Sequence, residues 1–311
     1  MDLYSIGEML IDFTPGGEPA SYIRNAGGAP ANVAIAAAKN GLEAGMCCCV
    51  GDDDFGRFLL DTLRRHGARC LRPQLCAEAV TTMAFVTLDG DGDRRFTFAR
   101  KPGADMFLRE EDVREEDIRE SVIVHAGSCS LSASPEAEAT VRAMTLGRQM
   151  GKLVSFDVNY RDVMWPGGEA ACAAKVMELL PLVDLLKISA EEVEMMGGEE
   201  HIPALMEKNG LTAVVETLGA QGARCFFAGE SFLSPGGKSK CVDATGAGDA
   251  FWGGFLSSLR HQGVEDAAGI TGDILRRALA YGNAAGDICV QGRGAIPSLP
   301  TRAQIEARLG A

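Results

Sequence analysis

The chain has 311 residues, 46% hydrophobic and 23% charged, which suits one large α/β domain with an ample core. A formal net charge of −13 argues against a nucleic-acid or anionic-membrane partner, and no apolar run reaches the ~18 residues of a membrane span. The ten cysteines form no C-x-x-C pair, and His66, His125, His201 and His261 lack zinc-ligand spacing. With no glycosylation sequon and no leader-like pattern in MDLYSIGEML, the expectation is a reduced, cytoplasmic protein with free thiols.

Residues 3–9 read as a first strand buried on both faces, with Asp12 just beyond its end, and residues 16–24 as irregular. Ala26-Gly27-Gly28-Ala29-Pro30-Ala31-Asn32 then leads into a helix over 33–39, with Pro30 suited to the first helical position and Asn40-Gly41 closing it. The paired glycines let a ligand approach the backbone. Asn32 projects towards the same opening, although by spacing alone it reads as a surface amide. Residues 46–50, which include Cys47, Cys48 and Cys49, read as a second buried strand. Gly51-Asp52-Asp53-Asp54 precedes a helix carrying Phe58, Leu59, Leu60 and Leu63 and stopped by Gly67; capping and dipole compensation explain the acid triplet better than a metal does. Residues 82–88 and 94–100, joined by Asp89-Gly90-Asp91-Gly92, read as a hairpin in a small sheet added to the main body, with Arg100 near its exit.

From residue 121 strands alternate with helices. Strands are expected over 122–125, 153–157, 183–188 and 213–218, with helices starting near Ser134-Pro135, at Glu169 and at Ala190, the pattern of a parallel sheet with right-handed crossovers. Polar residues cluster just past the strand ends: Gly127 and Ser128; Asp157, Asn159 and Arg161; Ser189 and Glu192; Thr217 and Gly219. Ligands of open α/β sheets bind beyond those ends, and Asp12 and Asp243 obey the same rule. Residues 223–228 and 231–233 read as an antiparallel extension.

Next comes Cys241-Val-Asp243-Ala-Thr245-Gly246-Ala247-Gly248-Asp249-Ala-Phe251, a glycine turn running into a helix whose Phe251, Trp252, Phe255, Leu256 and Leu259 recur at helical spacing. Gly253 and Gly254 leave room for a packed neighbour. The turn sits where unpaired N–H groups and the positive dipole end attract anions, with Asp249 in the first turn. Such an arrangement suits phosphoryl transfer to an alcohol; read on its own it is equally a helix cap with glycines for geometry. A helix over 278–288, the turn Gly292-Arg293-Gly294 and a last helix from Thr301 complete the chain. Gly237-Lys238-Ser239 ends like a Walker A loop, but Phe232 replaces its first glycine. Gly246-Ala247-Gly248 begins like a dinucleotide fingerprint, but Phe251 replaces its last.

Asp243-Ala-Thr-Gly-Ala-Gly-Asp249-Ala-Phe resembles the C-terminal signature of the ribokinase (PfkB) family of carbohydrate kinases. Gly27-Gly-Ala-Pro-Ala-Asn32-Val-Ala with Val50-Gly-Asp-Asp-Asp-Phe-Gly56 resembles the N-terminal one, in register across nearly the whole chain. Within the family, His125-Ala-Gly-Ser128, Phe156-Asp-Val-Asn-Tyr-Arg161, Arg100-Lys-Pro-Gly-Ala-Asp-Met106 and Leu186-Lys-Ile-Ser-Ala-Glu-Glu192 look like fructokinases. Kinases of 2-keto-3-deoxygluconate carry a similar Asp-x-Asn-x-Arg segment. The resemblance implies a three-layer α/β/α ribokinase-like fold over residues 1–311, with a mainly parallel central sheet. A small β-sheet lid from about 11–24 and 80–104 is often used for dimerisation.

The resemblance also implies roles. Asp249 would be the base for a sugar hydroxyl, the N–H groups of Gly246, Ala247, Gly248 and Asp249 an anion hole, and Asp12, Gly28 and Asn32 the sugar grip. Arg100 and Arg161 would lie near the substrate and the transferring phosphate. Ser189, Thr217, Gly219, Gly222 and Gly248 would flank ATP, and Asn283 its adenine. Glu192 would organise Mg²⁺ through water, in an element that has Asn where this chain has Ser189. Asp243, Thr245, Cys289, Gly292, Gly294 and Ser298 match a monovalent (K⁺) cation site. The leading expectation is ATP-dependent phosphorylation of fructose. The alternatives are a 2-keto-3-deoxygluconate kinase, a nucleoside kinase, or a sugar- or nucleotide-binding regulator of the same fold.

Overall fold

In the computed structural model, which describes residues 1–18, 20–71, 74–88 and 94–310, the N-terminal apolar run enters the core as β1 (Leu3–Ile6). It is shorter than the 3–9 expected. Gly7 adopts φ +139, and the chain leaves the core to form β2 (Leu10–Pro15) of a separate sheet. Asp12 therefore lies inside a strand of that sheet. The segment expected to be irregular supplies its neighbour β3 (Tyr22–Gly27), followed by helix α1 (Ala29–Lys39). The apolar run 46–50 is divided: β4 (Ala44–Cys47) joins the main sheet, whereas β5 (Cys49–Gly51) pairs elsewhere. Helix α2 (Asp54–Arg65) is capped by Asp53, whose carboxylate accepts from Gly56 N, the capping role expected of the acid triplet.

Short β6 (Arg69–Cys70) and β7 (Gln74–Cys76) follow, then the hairpin strands β8 (Met83–Leu88) and β9 (Arg94–Ala99); the Asp89-Gly90-Asp91-Gly92 turn between them lies outside the described residues. After α3 (Glu115–Arg119) come β10 (Ile123–Gly127), α4 (Glu136–Gln149), β11 (Leu153–Asp157), α5 (Gly168–Leu179), β12 (Leu185–Ser189) and α6 (Ala190–Met195). Helix α7 (Ile202–Asn209), not anticipated from the sequence, precedes β13 (Ala213–Thr217), β14 (Gly222–Phe227) and β15 (Glu230–Pro235). Helices α8 (Ala247–His261), α9 (Gly272–Cys289), α10 (Ala295–Ser298) and α11 (Arg302–Leu309) close the chain; α9 begins earlier than expected because Thr271 caps it.

The main sheet has nine strands in the order β15-β14-β13-β12-β11-β10-β1-β4-β6. Pairing is parallel from β13 to β6 and antiparallel for the β14–β15 edge. Alternate side chains of each strand go to opposite faces. Tyr4, Val124, Phe156, Leu186 and Val214 meet residues of α4 and α5 on one face. Leu3, Ile123, Leu153, Leu185 and Ala213 meet α1, α8 and α9 on the other. The result is three layers, α/β/α. A four-stranded sheet, β3-β2-β8-β9, stands apart from it.

Helix α8 lies between α1 and α9, and the glycines read as leaving room for one neighbour make room for two. A methyl group on Gly253 would come within 2.5 Å of Ala36 Cβ, and one on Gly254 within 2.9 Å of Ala285 Cβ. Trp252 stacks on Phe255 at 4.7 Å and donates through Nε1 to Ser155 Oγ at 2.9 Å, tying α8 to the middle of the sheet.

Candidate active site

The glycine turn ends in Gly246, the N-cap of α8, at φ +79. A side chain there would be strained and would also strike Ala295, whose Cβ lies 2.5 Å from where a Gly246 Cβ would sit. The first N–H groups of a helix lack intrahelical acceptors. Here Ala247 N–H donates to Ala244 O at 3.1 Å. Ala247 N–H, expected in the anion hole, thus has a partner within the turn in this arrangement.

Asp249, in the first turn of α8, is 9% exposed. Burial raises its carboxyl pKa to about 6, partly opposed by a hydrogen bond from Asn32. The acid therefore remains mainly ionised at neutral pH yet is a stronger base than a solvated aspartate.

Asn32 is 5% exposed, not the surface amide that its spacing suggested. Its Nδ2 donates to Asp249 Oδ2 at 2.8 Å, while Oδ1 has no partner among the described residues. Gly28, at φ +110, allows this approach: a Cβ on it would fall 2.5 Å from Glu8 O and 2.9 Å from Met9 Cα. Burial likewise raises the Asp12 carboxyl to about 6, with Arg161 pulling it down and Asp249 pushing it up. The fields of Asp12, Arg161 and Asp249 thus overlap at one opening, built from β2, the loop after β11 and the start of α8.

Arg100 is placed differently from the expectation. Its guanidinium is largely buried and donates to Asp105 at 2.7 Å, to Ser132 at 3.0 Å and to Glu136 at 3.0 Å. It joins the exit of β9 to the start of α4, with Nε, Nη1 and Nη2 each engaged by the protein's own groups.

Lys187 on β12 went unassigned in the sequence. Its Nζ lies 2.9 and 2.8 Å from the two carboxylate oxygens of Asp157 on β11. Burial pulls its pKa down, but Asp157 and Glu192 outweigh that and keep it above the ordinary value. The available signal was a lysine inside the otherwise apolar strand Leu185-Leu186-Lys187-Ile188.

Ser189 and Glu192, expected near ATP and Mg²⁺, form a capping box at the start of α6. Glu192 Oε2 accepts from Ser189 N at 2.8 Å and Oε1 from Tyr160 N at 2.6 Å, so this acid also clamps the loop bearing Arg161. Thr217 ends β13, and Gly219 and Gly222 turn the chain into β14; a Cβ on Gly222 would lie 2.5 Å from Gly236 N. Asn283 Nδ2 donates to Ser234 O, Ser234 Oγ and Pro235 O, which makes it a brace for the end of β15.

The residues matched to a monovalent-cation site converge on one corner. Asp243 Oδ1 accepts from Thr245 N and Oγ1, and its Oδ2 from Gly294 N; Cys289 Sγ approaches Thr245 O. Gly292 abuts Ser298. Asp243 therefore fastens the turn. Among the described residues no three or more His, Cys, Asp or Glu groups are arranged to hold a metal. A divalent ion here would draw its ligands chiefly from nucleotide phosphates and water, as Mg²⁺ does.

A glycine turn at the start of α8, with the buried carboxylate of Asp249 in its first turn and Asp12 and Arg161 close by, suits a phosphotransferase that uses an alcohol as acceptor. The profile of pfkB family carbohydrate kinases matches residues 2–302, and the chain belongs to that family. It is 38% identical to fructokinase-1 of Oryza sativa subsp. japonica over 312 residues, covering 97% of this chain and 95% of the relative. Among solved structures, it superposes on the Xylella fastidiosa fructokinase with bound ATP with a TM-score of 0.93 at 29% identity, covering 99% and 98% of the two chains. A Vibrio cholerae fructokinase variant bound to fructose, ADP and potassium ion gives 0.90 at 32% identity, again over 99% and 98%. The protein is a carbohydrate kinase.

Proposed function

We propose that this kinase transfers the terminal phosphoryl group of ATP to a hydroxyl of fructose, with Asp249 as the base. The observation that carries the proposal is the Asn32–Asp249 hydrogen bond at 2.8 Å, which holds a buried carboxylate at the mouth of the anion-binding turn. Asp12, Gly28 and the free Oδ1 of Asn32 grip the sugar; Asp249 then takes the hydroxyl proton as the oxygen attacks phosphorus. The proton need leave only as that bond forms, so an acid with a pKa about 6 is adequate. The N–H groups of Gly246, Gly248 and Asp249, with Arg161, stabilise the negative charge on the phosphoryl oxygens.

Ser189, Thr217, Gly219 and Gly222 line the nucleotide in this reading. Mg²⁺, reached through water from Glu192, would neutralise charge on the ATP phosphates. K⁺ would strengthen the turn that carries the anion hole. The small sheet, with boundaries near 11–24 and 80–104, acts as a lid that excludes water. Its exposed Tyr22 (45%) and Ile23 (53%) support pairing of two copies through that sheet. The free thiols of all ten cysteines support a cytoplasmic location.

An ADP-release assay over a sugar panel tests the proposal, with preferred turnover on fructose expected. A second acceptor, 2-keto-3-deoxygluconate, is favoured by the exposed Arg161 beside the opening, a cation that could meet its carboxylate. Turnover on that acid without turnover on fructose would replace the substrate assignment, and adenosine turnover would point to a nucleoside kinase. Sugar binding without ADP release would indicate a regulator.

A further inference from the structure

We infer that Lys187 is a positioning residue for phosphoryl transfer: its ammonium, gripped by Asp157, lies under the first turn of α8 and adds fixed positive charge beneath the anion hole. The inference rests on the kinase reading and adds to it a residue from outside the glycine turn.

Asp157 and Lys187 face one another in register on adjoining parallel strands. Their side chains are 2% and 6% exposed, and both carboxylate oxygens are within hydrogen-bond distance of Nζ. The rest of β12 is apolar: Leu185, Leu186 and Ile188 are fully buried. An ion pair in such a place does little for stability, because desolvation offsets most of the attraction, and an apolar pair of similar size would serve the fold as well. What the pair does provide is a charge at a fixed point.

That point is marked by Gly248. A methyl group built there would come to 3.4 Å of Lys187 Nζ and 3.8 Å of Cε. Gly248 is one of the residues whose N–H remains for an anion, so the ammonium backs the hole directly from below. In this dry layer a fixed charge acts with little screening, and it needs no reorganisation when charge develops on the phosphoryl group. Asp157 keeps the lysine protonated and immobile. Its own negative charge also reaches Asp249, where it opposes that of Lys187. Gly248 is the turn residue that Lys187 lies against, which places the lysine's effect at the hole.

Four variants separate this role from a structural one. Lys187→Met should lower kcat by about 10²-fold while the KM values for sugar and ATP change by less than about threefold, the pattern of lost transition-state stabilisation. Asp157→Asn, which removes the carboxylate that keeps the lysine protonated, and the uncharged pair Asp157→Asn/Lys187→Met should each lose kcat to within about threefold of Lys187→Met. The double variant also guards against misfolding, since it leaves no lone buried charge. Lys187→Arg should recover part of the loss in kcat. A kcat for Lys187→Met or for the double variant within about threefold of wild type, or a loss confined to KM, would overturn the inference. The comparison uses whichever sugar the wild-type enzyme turns over, so a failure of fructose as acceptor leaves it intact.

Discussion

Replacing Asp249 by asparagine should cripple the enzyme and stabilise the protein at the same time. Burial lifts this carboxyl from 3.8 to about 6 in the folded state. A rise of about two units corresponds to about 3 kcal/mol that the fold gives up by ionising the group. The sign follows from the direction of the shift. A carboxyl whose pKa is higher folded than unfolded contributes fully at pH values below about 4, and its contribution is lost as pH rises through about 6. Asparagine fills the same space and never ionises. The variant should therefore unfold with a free energy about 3 kcal/mol greater than wild type at pH 8, and about half that at pH 5. Chemical denaturation followed by circular dichroism at the two pH values measures both gaps. Turnover should fall by about 10²–10⁴-fold, the usual worth of a positioned base. A variant no more stable than wild type at pH 8, or a gap that fails to shrink at pH 5, would refute the account of Asp249 as a disfavoured anion. Near-normal turnover would remove it from the base role.

Two further outcomes follow from the same geometry. The acid limb of kcat/KM should fall near pH 6, where Asp12 and Asp249 take up protons, and Asn32→Ala should move it upward by about one unit, because it deletes a hydrogen bond worth about 1.5 kcal/mol to the charged form; an unmoved limb would detach Asn32 from Asp249. Gly246→Ala should lower the melting temperature and kcat together, since it combines about 1–2 kcal/mol of left-handed strain with a collision against Ala295; a variant that melts and turns over like wild type would show that the turn does not need glycine.

Much of the frame was legible because its causes are local. The alternation of strands and helices from residue 121, the capping by Asp53 and the glycine turn before Phe251 are each written in a few consecutive residues, and the structure reproduces them. The errors occur where partners are distant in sequence. Gly7 interrupts an apolar run that continues to Ile11, so hydrophobicity alone could not reveal that the chain leaves one sheet for another. Asn32 looked like a surface amide because its partner, Asp249, is 217 residues away. Lys187 and Asp157 are separated by 30 residues and meet only through strand register. Arg100 carried the sign expected of a substrate contact, and the ion pairs that Asp105 and Glu136 make with it could not be read from the sequence.

The elements that would recognise the acceptor, β2, β3 and the beginning of α1, are different stretches of chain from β12 and α8, which hold the migrating charge. The Asn32–Asp249 amide–carboxylate contact, together with the packing of α1 on α8, joins the two halves. A lineage built on this plan can exchange its guest molecule by editing two surface ribbons, while the reactive end stays as it was.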